Sequence, residues 1–220
     1  MYKEVFKAVM IMYSGTTGAY PYNYAYMPGM QFLPCQYVSP TVISKSRLAL
    51  NNHLRLLWEQ HVVWTRLTII SMVFDLPDVD LVTGRLLRNP KDFEALLKPL
   101  YGDRIAARFA DLLTSHLVIA AELVKAAKAG DTGAAADAEK RWYANADEIA
   151  VFLGNINPYW SARQWQTMLH EHLALTKSEA VNMLTGKYAE GIAVFDQIEK
   201  QALEMADVMI NGIIGQFPNI

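Results

Sequence analysis

From Ser46 onward the apolar residues recur at three- and four-residue steps, and no stretch alternates with the two-residue period of a strand. Leu54, Leu57, Trp58, His61, Val62, Thr65, Thr68, Ile69 and Met72 fall on one stripe, which predicts a first long helix from Arg47 to Phe74, ended by "DLPDVD". A short helix follows, with Asn89 as its cap, Pro90 in its first turn and its end before Pro99. Asp103 caps a second long helix that stops near "AGDTG", and Asp131 or Thr132 caps a third that reaches Leu153. Ser161 and Gln164 form a capping-box pattern for a fourth, stopped by Gly186, and a fifth spans Ala189 to Ile214. The expected fold is all-α: an up-down bundle of five long helices and one short one, occupying residues 46–220.

Residues 1–45 are of another kind. Between Ala8 and Ser44 no side chain carries a formal charge, while Tyr2, Tyr13, Tyr20, Tyr22, Tyr24, Tyr26 and Tyr37 crowd the segment with Gly, Pro and Met. Pro21, Pro28, Pro34 and Pro40 forbid a helix or a central strand, so the segment reads as extended or disordered. Its composition suits wrapping of the bundle, self-association or docking to another protein; alternatively Met27 or Met30 lies nearer the start of the protein. Met10, Met12, Met27 and Met30 offer soft sulfur to copper(I), although irregular packing is the ordinary role of such residues.

Charge and cysteine content narrow the function classes. Twenty basic and 22 acidic side chains leave a net charge of −2, which supplies no electrostatic footprint for nucleic acid. The lone Cys35 excludes an internal disulfide framework and fits a cytoplasmic setting. The apolar run Ala8–Tyr13 is shorter than a signal-peptide core, and no stretch is apolar for long enough to span a membrane.

Three helices carry a histidine where the stripe calls for an apolar residue: His61 in "LWEQHV", His116 in "LLTSHL" and His172 in "MLHEHL". In the hairpin that turns near Gly130, residues summing to about 263 lie at equal height, which puts Asp147 level with His116 and, by the same construction, Asp207 within about a turn of His172. Asp147 lies at the flank of its stripe, where it can reach inward or solvate outward. Glu179 shares a face with His172, and Glu59 and Glu148 are further oxygen donors. Imidazoles and carboxylates converging from facing helices are what a metal site in a bundle requires, so His61, His116, Asp147, His172 and Glu179 form a candidate ligand set for iron, manganese or zinc. The Glu-x-x-His signature of di-iron bundles is absent. The competing reading gives each histidine a hydrogen-bonded structural place in the core. No nucleophile elbow, Walker loop or GxGxxG occurs.

"LTSHLVIAAELVKAAKAGD" (Leu113–Asp131) lies over "LHEHLALTKSEAVNMLTGK" (Leu169–Lys187). Four inserted residues then bring "AEKRWYANAD" over "IEKQALEMAD", which reads as a degenerate duplication of a helix pair. The strings "LRLLWEQHVVWTR", "FDLPDVDLVTGRLLRNPKDF", "HLVIAAELVKAAKAGD" and "WYANADEIAVFLGNINPYWS" resemble a family of small helical proteins from spore-forming bacteria, over roughly Leu48 to Pro218. Chains of this look are sometimes labelled acetylglutamate kinase, a label that implies an α/β fold with glycine-rich phosphate loops, which this sequence lacks. More loosely, the inward histidines are similar to those of ferritin-like and hemerythrin-like bundles. Two expectations follow: a metal-binding bundle, or a non-catalytic assembly protein, spore-associated, that uses the Tyr-rich segment to hold a protein partner or a second copy of itself.

Overall fold

A computed structural model describes residues 44–220; the expectations for the Tyr-rich segment, Cys35 and the N-terminal methionines lie outside the described residues. Seven helices and no strands are found among the described residues: α1 (Lys45–Val73), α2 (Val79–Leu86), α3 (Asn89–Tyr101), α4 (Asp103–Ala129), α5 (Thr132–Ile156), α6 (Ala162–Leu184) and α7 (Tyr188–Gln216). The all-α bundle is therefore as expected, with two differences in its first third. A helix that begins inside "DLPDVD", at Val79, forms α2. Helix α3 runs through Pro99 to Tyr101, because a proline three residues from the end of a helix forfeits one hydrogen bond where the ladder is about to stop anyway.

The caps follow the side-chain chemistry. Ser44 accepts from the Arg47 amide at the start of α1, Asp131 from Ala134 at α5 and Ser161 from Gln164 at α6. Three helices end on a left-handed residue. Gly130 (φ 72°) closes α4 and Gly186 (φ 73°) closes α6, and each is followed by an amide that bonds back five residues, Asp131 to Ala126 and Lys187 to Asn182. At the end of α1 the same place is held by Asp75 (φ 51°), the one non-glycine residue with positive φ among the described residues, and Leu76 bonds back to Ser71.

The helices pack in chain order, α3 on α4, α4 on α5, α5 on α6 and α6 on α7, and α7 returns to α1. Helix α1 also touches α3, α4 and α6, so the three histidine-bearing helices face one another inside the bundle. The core falls into two clusters. The larger is built around Trp58, Phe93, Phe109, Leu153, Trp165 and Met209. The smaller, with Ile69, Met72, Val124, Ala180 and Met183, sits towards the ends of α1, α4 and α6. No helix among the described residues is long and apolar enough to cross a membrane.

Candidate functional site: a buried layer of three imidazoles

Each histidine stands on the apolar stripe of its helix, and all three are buried, at 3% exposure each. The rings meet at one depth: His61 lies 5.8 Å from His172 and 6.5 Å from His116, centroid to centroid. Together with Trp58, Trp165 and a wall of leucine, isoleucine and phenylalanine they line a cavity of about 10 Å³, room for roughly one water molecule.

Every ring is held in the same way. His61 Nδ1 lies 3.2 Å from Asn89 Oδ1, His116 Nδ1 2.9 Å from Asn145 Oδ1, and His172 Nδ1 3.1 Å from Gln201 Oε1. The amide nitrogen of each carboxamide donates in turn to a backbone carbonyl: Asn89 to Leu57 (2.9 Å), Asn145 to Leu112 (3.1 Å) and Gln201 to Met168 (2.5 Å). That carbonyl belongs in each case to the residue four before the histidine, one turn along the same helix. Donation to a carbonyl fixes which end of the carboxamide is nitrogen, so the oxygen faces the ring and Nδ1 must carry the proton. Nε2 is then left as a bare lone pair, and Nδ1 makes the only hydrogen bond of each ring among the described residues.

Burial keeps these rings neutral. It lowers the His61 pKa to about 4 and those of His116 and His172 to about 3, the latter two helped downward by the neighbouring imidazoles and all three opposed by the carboxamide bonds. The layer thus presents three neutral nitrogen bases and no carboxylate.

The acidic residues of the expected ligand set are elsewhere. Asp147 is on the surface, 45% exposed, where it accepts from Gln166 (2.8 Å) and contacts His170 (2.7 Å). The height rule had the right level but the wrong face: His116 is met by Asn145, two residues earlier, and two residues on a helix are about 200° apart. Glu179 is buried, but it is paired with Arg66, which also lies 4.7 Å from the Phe195 ring. Burial pushes the Glu179 carboxyl up to about 7 against the pull of that guanidinium. Asp207 pairs with Arg55 on the surface, Glu148 pairs with Arg108, and Glu59 lies beside Glu199, its pKa raised by burial and by that neighbour.

Three residues of the layer escaped the sequence reading. Asn89 was expected as a helix cap, yet it makes no capping bond; its side chain turns inward to His61. Asn145 and Gln201 were concealed by the four-residue insertion, which placed Asn145 over Met205. Without an insertion, the 56 positions from His116 to His172 are also the 56 from Asn145 to Gln201 and from Gly130 to Gly186. The usable signal was the spacing from histidine to carboxamide, 28 residues in the first pair and 29 in the other two.

No group of three or more His, Cys, Asp or Glu side chains among the described residues is spaced to hold a metal ion. Three imidazoles on one ion at about 2.0–2.1 Å would bring their ring centroids to roughly 5 Å. The ring of His61 stands about 1 Å wider than that from each of the other two. No family model, curated protein or solved structure matches the chain.

Proposed function

We propose that the bundle binds one transition-metal ion through Nε2 of His61, His116 and His172, drawn inward from their present spacing. The observation that carries this reading is the threefold use of one device: each imidazole has its far nitrogen tied to an oriented carboxamide and its near nitrogen left without a partner. Metal-ligating histidines are held in this manner, with the second nitrogen donating to an acceptor that fixes tautomer and ring orientation. A purely structural histidine would be expected to use both nitrogens. The three pairs are read as copies of one helix-pair unit, three rather than two, each contributing one ligand.

Of the ions expected from sequence, zinc suits the set best. Iron and manganese in helical bundles draw on carboxylate oxygen, and Asp147 and Glu179 are committed outside the layer. Zinc accepts three neutral imidazoles and a fourth, exogenous ligand. Elemental analysis of untagged protein, followed by cobalt(II) titration monitored by its visible spectrum, tests the reading. Stoichiometric binding with a tetrahedral cobalt spectrum, lost in His116→Gln, is expected. Protein that carries no metal and takes up none would reduce the layer to a device for helix register.

A further inference from the structure

A second cavity, about 310 Å³, lies where the two core clusters part, between the ends of α1, α4, α5 and α6. Its space comes from sequence: Ala120, Ala121, Ala127, Ala135, Ala136 and Ala180 bring methyl groups where larger side chains would have filled the gap. Ile69, Met72, Val124 and Leu184 complete a wall that is almost entirely hydrocarbon.

Most polar groups in the wall are already satisfied; the buried indole N–H of Trp142 has no partner among the described residues. Thr65, Thr68 and Thr176 donate their hydroxyls to the carbonyls of His61 (2.7 Å), Trp64 (2.8 Å) and His172 (2.8 Å). Glu139 and Lys177, both partly exposed, pair with each other at 2.6 Å and 2.7 Å, so neither sign of charge is left over. A bound anion or cation would have to break that pair. One lining residue links the cavity to the imidazole layer: Trp142, whose ring lies 5.4 Å from that of His116.

From the volume, the hydrocarbon wall and the internally matched charges, we propose that this cavity is a binding site for one uncharged, apolar small molecule. It is of the size of ordinary ligand pockets and differs from them in offering, apart from the single indole N–H of Trp142, no unsatisfied buried polar group to anchor a headgroup, so shape and burial chiefly select the occupant. The site does not depend on metal binding at the imidazole layer.

The full chain titrated with N-phenyl-1-naphthylamine, a neutral fluorescent probe, and separately with the anionic 8-anilinonaphthalene-1-sulfonate, tests this. Saturable binding of one neutral probe per chain is expected, with the anion at least tenfold weaker and with energy transfer from tryptophan that falls in Trp142→Phe. Filling the cavity with Ala121→Leu and Ala135→Leu should weaken the neutral probe at least tenfold while circular dichroism stays unchanged. Val181→Trp, from a partly exposed part of the wall, is the second variant should the first fold poorly. Probe binding indifferent to both variants would place the probe elsewhere and overturn the proposal. So would equal affinity for the anion, or self-association in sedimentation that the filling variants abolish, which would make the cavity a contact between copies.

Discussion

Asn145 and Gln201 hold the same position relative to different histidines: each accepts from Nδ1 and donates to the carbonyl one turn before the ring it orients. Removing either carboxamide strands a buried imidazole N–H in apolar surroundings, a loss of roughly 1–3 kcal/mol. Asn145→Leu and Gln201→Met are therefore expected to lower the free energy of unfolding by that amount in urea at pH 7.5. If metal binds as proposed, each should also weaken its affinity about 10- to 100-fold. Variants as stable as the parent would show that the carboxamides do not hold the rings.

The neutrality of the layer makes stability depend on acidity in one direction. In the unfolded chain an imidazole titrates near 6.5, whereas His61 titrates at about 4 and His116 and His172 at about 3 when folded. The unfolded state takes protons first as pH falls, so the contribution is complete above 6.5 and is lost on acidification towards the folded values. Each ring contributes a slope of up to roughly 1.4 kcal/mol per pH unit, and the three together up to roughly 4. Urea unfolding at pH 7.5, 6.5, 5.5 and 5.0 should show a steep decline beginning near 6.5, and a flat profile would contradict burial of neutral rings.

Glu179 works in the opposite sense. Its folded pKa of about 7 stands above the ordinary carboxylate value, so its contribution is complete below about 4.5 and is lost as pH rises through 7. Glu179→Gln should steepen the net acid dependence between pH 5 and 7 by removing this counter-slope. Arg66→Met leaves the carboxyl buried without its partner, and a loss of about 3 kcal/mol at pH 7.5 is expected, smaller at pH 5, where the carboxyl is protonated. A loss independent of pH would mean that the guanidinium acts through packing on Phe195 alone.

Asp75 adopts the left-handed conformation that glycine supplies at Gly130 and Gly186. Asp75→Gly should stabilise the fold by about 0.5–1 kcal/mol through relief of that backbone strain, and thermal unfolding would register it. A lower melting temperature would indicate that the contact of Asp75 with Lys128 outweighs the strain.

Gly212 passes directly beneath Trp160, and a β-carbon there would overlap the indole. Gly212→Ala must displace the ring and break its bond to the Val208 carbonyl (3.2 Å). A destabilisation of roughly 1–3 kcal/mol is expected, with a change in tryptophan fluorescence that a remote surface substitution would not produce.

The histidines were legible because an imidazole on an apolar stripe stands out against a strong 3.6-residue period. Their partners were not, since Asn and Gln carry several ordinary roles and nothing in composition marks a buried one. Asn89 beside Pro90 imitates a helix start, and the acids Asp147 and Asp207 drew attention because charge is the more familiar partner of a histidine. Here the neutral amide takes that part, and the charged residues solvate or pair with arginine. Helix α2 was missed for a related reason: eight residues after a proline give too few turns for periodicity to register.

Because the imidazole chamber is sealed by side chains almost without exposure, an ion bound there as proposed would have no doorway. Arrival and departure must wait for the helices to part, so exchange is timed by the breathing of the bundle and not by diffusion. An occupant would leave at a rate that extra chelator in solution does not hasten, and a chain that closes around its guest while folding would retain it for as long as the fold itself stays shut.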